Sequence, residues 1–370
     1  MVEVSDIGQH FLIGLQLTSK LTDHDRTLLS ELQPSGIVLF AKHFEENKPY
    51  QEWMKSLDAL LSEVRSLISR DIIVAIDHEG GTVIRPPQPV TRFPWAYYWG
   101  NSTKEIGQAM GQELESIGVN LAFAPVVDVL TNKENPVIGR RAFGTTPDLV
   151  TTLAAEFIDG LQQSNVCACL KHYPGHGDTF KDSHVELPVL TGDMDYLSKI
   201  DLVPFANLHN KTRFIMTGHL HIPKVDNNPS TCSEKLINGY LRKKLGYNNL
   251  VVTDDIGMKA VSDLFDSDDF LLRTMSSGTD MIMVCAHWTD TRRSLDMAKT
   301  IIKGMNSGKL DEEHISASKK RINDNMASIQ NNSVTQLDKN IFEQHQKLSD
   351  SIEVTDEGRV LTSKESDYLA

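Results

Sequence analysis

A single-domain (β/α)8 barrel is the fold class the sequence predicts, on three observations. Short apolar runs rich in β-branched residues recur from Phe11 to Cys285, and there are eight of them. They are continuous rather than alternating, as expected of parallel strands covered on both faces. Helical segments with recognisable starts and stops lie between them, and titratable residues collect just past their C-terminal ends, where a barrel carries its functional groups. A doubly wound open sheet is the competing architecture, because a strand count does not by itself prove closure.

Taken in order, the runs are 11–15, 36–40, 72–76, 121–124, 166–170, 214–217, 250–253 and 281–285. Ser102 with Glu105 has the spacing of a capping box, with Ile106, Ala109, Met110, Leu114 and Ile117 on one face and Gly118 as the stop. Thr146-Pro147 opens a helix whose inward face is Val150, Leu153, Ala154, Phe157, Ile158 and Leu161. Ser233 opens another, with Leu236, Ile237, Tyr240 and Leu241 inward and Gly246 past its end. Segments 290–303 and 311–329 read as helices after the last strands. The barrel is expected over residues 1–330, a helical extension packed on it over 331–354, and a polar tail without a core pattern over 355–370.

The 370-residue chain has a net charge of −13, which argues against nucleic acid or an anionic membrane as partner. Cys167, Cys169, Cys232 and Cys285 show no metal or redox spacing and read as small buried hydrophobes. The N-terminus lacks the basic region and apolar core of a signal peptide, and no apolar run approaches membrane-span length, so a cytoplasmic setting is expected. A monomer is expected.

The chemistry is concentrated past the strands. Asp77-His78-Glu79-Gly80-Gly81 follows the third run, with Arg85 nearby, and Asp128 and then 135–144 follow the fourth. The fifth leads into Lys171-His172-Tyr173-Pro174-Gly175-His176-Gly177-Asp178-Thr179 and on to Asp182-Ser183-His184. Proline and glycines are expected to keep 171–184 in a loop displayed by a rigid strand. Gly218-His219-Leu220-His221 follows the sixth run and Asp254-Asp255 the seventh. Acids, imidazoles and a few cations suit gripping hydroxyls and moving protons, and there is no glycine-rich nucleotide loop.

The combination of Ile76–Gly81, Gly139–Gly144, Lys171–Thr179 with Asp182-Ser183-His184, and Thr253–Lys259 resembles the β-N-acetylglucosaminidases of glycoside hydrolase family 3, the single-domain enzymes of bacterial cell-wall recycling. Four motifs in register cover the chain from about Phe11 to Ile352. The resemblance implies a retaining exo-β-N-acetylglucosaminidase, without metal or cofactor, that releases terminal GlcNAc from peptidoglycan fragments such as GlcNAc-1,6-anhydroMurNAc, with or without peptide. It assigns the nucleophile to Asp254 and acid/base duty to His184, oriented by Asp182. An imidazole gives and takes protons near neutrality and avoids setting two carboxylates side by side. Sugar contacts are implied for Asp77, Arg85, Arg141, Lys171 and His172. His78 stands where the family usually has glutamine, and Arg140 where an acid or amide is common. Which of Arg140 and Arg141 faces the sugar stays open at this level, as does water against phosphate as acceptor. Two other functions compete: a metal-dependent hydrolase using His219, His221, His172, His176 and Asp254, and a non-catalytic sugar-binding barrel.

Overall fold

The computed structural model of the protein describes residues 2–180 and 187–355. Its strands are β1 Phe11–Gly14, β2 Gly36–Leu39, β3 Ile73–Ile76, β4 His78–Gly80, β5 Val83–Ile84, β6 Leu121–Ala122, β7 Cys167–Tyr173, β8 Phe214–Thr217, β9 Leu250–Asp255 and β10 Met281–Cys285. Eight of them close a parallel barrel in the order β1-β2-β3-β6-β7-β8-β9-β10, with β1 pairing back on β10 from Phe11↔Ile282 to Gly14↔Cys285. That pairing rules out the open sheet. Every apolar run of the sequence supplies one barrel strand.

The reason the runs are unbroken is visible in β10. Met281, Met283 and Cys285 pack inside the barrel with Leu12, Val38 and Phe214, whereas Ile282 and Val284 pack outward against the helical layer. Each face excludes water, so neither tolerates a polar side chain. A fully buried aliphatic side chain contributes roughly 1.5–3 kcal/mol relative to exposure. Cys169, Cys232 and Cys285 are buried, Cys167 is half-buried, and all four are free thiols.

Several local expectations shift. The helix Thr103–Ser116 begins after a single tight turn, and Ser102 makes no side-chain cap; Thr103 bonds the carbonyl of Gly100 instead, at 2.7 Å. Gly118 does end that segment, with φ +80°. Pro147 starts the next helix, Pro147–Leu161. Ser233 accepts from the Leu236 amide at 3.2 Å, but the helix it opens, Lys235–Lys244, is wound wide, with Gly239 and Leu245 bonding the carbonyls five residues back. The last two barrel helices are Arg293–Asn306 and Glu312–Met326, each starting later and the second ending earlier than the pattern suggested. Lys171, His172 and Tyr173 belong to β7 rather than to a loop, because the strand keeps pairing as far as Tyr173↔Thr217. The β4–β5 hairpin was not foreseen; its turn needs Gly81, at φ +60°, where a Cβ would sit 2.1 Å from the Trp95 ring.

The helix Lys339–Asp350 lies against Thr103–Ser116. His345 Nδ1 stands 2.7 Å from Glu113, which also accepts from the Thr91 amide and hydroxyl, and Phe342 meets Tyr50 edge-on. Of the tail expected over 355–370, residues 356–370 lie outside the described residues. Among the described residues, no helix is long and apolar enough to cross a membrane.

Candidate active site

The C-terminal mouth of the barrel opens into a cleft of about 800 Å3. Its walls come from the ends of different strands, so residues distant in sequence face one another. Asp77, Arg85, Arg141, Lys171, His172 and Asp254 all line it. Between the two neighbouring arginines, the cleft takes Arg141, which is buried, and not Arg140 among the described residues. Asp182 and His184 lie outside the described residues.

Glu79 is the centre of the charged wall, and sequence reasoning passed over it. It sits on β4, 4 % exposed, and takes a forked pair of bonds from Arg141, at 2.8 Å from Nε and 2.9 Å from Nη2. Lys171 Nζ also contacts Glu79 and donates to Asp77 at 2.8 Å. Arg85 closes the group with Nη2 3.7 Å from the second oxygen of Asp77. Burial by itself would push the Glu79 carboxyl up, but Arg141 and Lys171 hold it well below the usual carboxylate range. Burial likewise works against ionisation of Asp77, and Lys171 and Arg85 reverse it. Burial disfavours the charged Lys171, yet Asp77 and Glu79 raise its affinity for the proton above normal. Asp77, Glu79 and Lys171 thus each favour the ionised form of their partners. The only signal for Glu79 was its place two residues from Asp77.

A second layer stands behind the first. Asp128, fully buried, accepts from the His172 amide at 3.1 Å, the His176 amide at 2.7 Å and His172 Nδ1 at 2.7 Å. His172 and His176 offset the burial penalty and lower the Asp128 carboxyl. With Nδ1 of His172 turned to Asp128, its Nε2 faces Arg141 Nη2, 3.5 Å away. His176 Nδ1 pairs with the Thr179 hydroxyl at 2.7 Å, and Asn135 ties the His176 carbonyl at 2.8 Å. Thr131 donates to Asp178 at 2.9 Å. The segment that follows β7 is thus braced from the 128–135 loop.

Asp254 is the next-to-last residue of β9 and is partly exposed to the cleft, with Oδ1 accepting from the Asp255 amide at 2.8 Å. Asp255 also borders the cleft; it takes the amides of Gly257 at 2.9 Å and Cys285 at 3.2 Å and so fixes the turn after β9. Burial raises the Asp255 carboxyl to about 7.

Residues 4–324 match the N-terminal domain of glycosyl hydrolase family 3. The chain belongs to that family. A relative, the β-hexosaminidase A of Pseudoalteromonas piscicida, is 31 % identical over 325 residues; the match takes in 80 % of this chain and 53 % of the relative, so the chain spans about half its length. The family 3 β-N-acetylglucosaminidase of Paenibacillus sp. str. FPU-7 superposes with a TM-score of 0.81 at 29 % identity, covering 94 % of this chain and 68 % of that one. NagZ of Neisseria gonorrhoeae, solved with N-trifluoroacetyl-D-glucosamine, superposes with a TM-score of 0.70 at 25 % identity, covering 92 % of this chain and 96 % of that one.

Two of the imidazoles named for a metal site are turned to other partners. His219 is engaged by the Thr231 hydroxyl at 2.6 Å and the Asp255 carbonyl at 3.1 Å, and His172 is turned to Asp128. Among the described residues no group of three or more His, Cys, Asp or Glu side chains is arranged to hold a metal ion. His78, fully buried on β4, is driven down to about 3, chiefly by burial and then by the charges of Arg92 and Arg85, and stays neutral.

Proposed function

We propose that this protein is a retaining exo-β-N-acetylglucosaminidase that cleaves terminal β-linked GlcNAc from small peptidoglycan fragments in the cytoplasm. GlcNAc-1,6-anhydroMurNAc, with or without peptide, is the proposed substrate, and the protein acts as a monomer. The observation that carries the reading is Asp254 opening into the cleft from a barrel strand, across from the paired charges of Asp77, Arg85, Arg141 and Lys171. Family membership and the β-N-acetylglucosaminidase names of the relatives support the choice of sugar.

In this reading the Asp254 carboxylate attacks the anomeric carbon and forms a glycosyl ester while the departing oxygen takes a proton from His184. Asp182 holds the imidazole, and His184 then takes a proton from water, whose oxygen attacks the same carbon and frees Asp254. Two inversions give net retention. Asp77, Arg85, Arg141, Lys171 and His172 bind the sugar hydroxyls. Lys171 and Arg141 arrive already fixed, so little ordering is required when the sugar binds.

Release of a chromophore from an aryl β-N-acetylglucosaminide tests this directly. Asp254→Ala should lower turnover by on the order of 10^4-fold with the fold intact, and a slow fluorinated substrate should leave a covalent adduct on Asp254 by mass spectrometry. No adduct, or equal rates for wild type and variant, would remove the nucleophile assignment. His184→Ala should keep more of its activity on good leaving groups than on poor ones. Adding phosphate should leave free GlcNAc as the product; accumulation of the sugar 1-phosphate would make the enzyme a phosphorylase.

A further inference from the structure

The cleft has a second wall that the proposed chemistry does not use. Phe40, just past β2, lies flat against the His287 ring, with centroids 6.0 Å apart and planes 10° from parallel. His287 meets Trp288 edge-on at 4.6 Å, and both follow β10. All three side chains line the cleft, and all three are partly exposed. In the closed barrel β10 and β2 flank β1, so the aromatic residues occupy one continuous arc of the rim. Asp254, on β9 beside β10, marks the boundary between that arc and the rest of the mouth.

The arc is held in place. The Trp288 amide bonds the Cys285 carbonyl at 3.2 Å, and the Phe40 amide donates to His43 Nδ1 at 2.8 Å. Gly257, in the turn after Asp254, lets Trp288 come close: a Cβ there would lie 2.6 Å from the Trp288 Cβ. The aromatic platform is thereby docked on the turn that follows Asp254.

We propose that Phe40, His287 and Trp288 form a leaving-group subsite that takes the apolar face of the second pyranose ring. This rests on the reading of the cleft as a glycoside-cleaving site. A pyranose offers hydroxyls around its rim and C–H bonds on its faces. The charged wall matches the first and an aromatic platform matches the second. Because β10 adjoins the Asp254 strand on one side and β7, which carries Lys171, follows β8 on the other, a disaccharide cut above Asp254 has its terminal sugar among the charges and its departing sugar on the rings.

The test compares N,N′-diacetylchitobiose, which has a departing sugar, with N-acetyl-β-glucosaminyl fluoride, which has none. In Trp288→Ala the ratio of kcat/KM for the disaccharide to that for the fluoride should fall about ten-fold, the size expected for losing an aromatic contact. Phe40→Leu should lower the same ratio about three-fold, and Trp288→Tyr should restore most of it. An equal proportional loss on both substrates would place the arc against the terminal sugar and overturn the proposal, as would an unchanged ratio. Should Trp288→Ala fail to fold, Phe40→Leu decides by the same ratio. Wild-type protein that turns over neither substrate would instead sink the glycosidase reading itself, so the two failures are separable.

Discussion

The two walls of the cleft are built on opposite principles. The arc above β3, β6 and β7 is a closed web of charge in which Glu79 serves Arg141 and Lys171, and Lys171 serves Asp77 as well. The arc above β2 and β10 is aromatic, held by ring stacking and backbone bonds. Charge in a buried setting is expensive to break, because the partner left behind has no water to turn to. Ring contacts are individually weak and forgiving. A member of the charged wall should therefore affect both stability and every substrate, while a member of the aromatic wall should affect mainly the choice among substrates.

Glu79→Gln is the sharpest way to break that contrast. It leaves Arg141 and Lys171 facing a neutral amide, and it should cost roughly 3–5 kcal/mol of stability and most of the activity on disaccharide and fluoride alike. Thermal or denaturant unfolding together with kcat/KM checks it; a stable variant that is merely more selective would erase the distinction between the walls. Arg141→Lys should come next. It keeps the charge but loses the fork onto Glu79, so a loss of about 1–3 kcal/mol is expected, smaller than for Glu79→Gln.

The pH dependence of stability separates buried groups of opposite sign. Burial lowers His10, His43 and His176 to about 4, so these rings are neutral in the fold while the unfolded chain takes up protons below roughly 6.5. Stability should fall as pH drops from there, by up to about 1.4 kcal/mol per pH unit for each ring. The depressed carboxylates Asp77, Glu79 and Asp128 add their loss only below the ordinary carboxylate range. Asp201 works the other way. It is fully buried against Gly175 at the root of the braced segment, and burial together with Asp178 and Asp128 raises it to about 8. Its folded form holds a proton that the unfolded chain has lost, so stability declines as pH rises from about 4 toward 8. Asp201→Asn mimics the protonated acid, so it should flatten melting temperature against pH between 5 and 8 and raise it by a margin that grows with pH; an unchanged slope would show Asp201 already ionised.

The smallest effect is expected at His78. Gln removes an imidazole driven down to about 3 and should cost less than about 1 kcal/mol at pH 7. Its effect grows below pH 6.5, where losing the buried ring should make the fold more acid-tolerant, measured as the change in melting temperature between pH 7 and pH 5.

Much of this was legible in the sequence. Unbroken apolar runs specify strands covered on both faces, because side-chain period and burial are local properties of a few consecutive residues. The same locality located Asp77, Lys171, His172 and Asp254 at strand ends. It misjudged β7, where a proline and glycines downstream suggested a loop earlier than Tyr173, and it missed the hairpin at His78–Gly80, whose pairing depends on a turn packed under Trp95.

What only the tertiary structure decided is which of these groups meet. Nothing in the order of residues makes Glu79 the partner of Arg141, 62 positions away, or chooses Arg141 over Arg140. Phe40 and His287 become neighbours solely because β1 closes onto β10. A strand's faces are set by its own alternation, whereas ion pairs and ring stacks across the mouth are set by how far each strand tilts and where the barrel shuts, and those are properties of all eight strands at once.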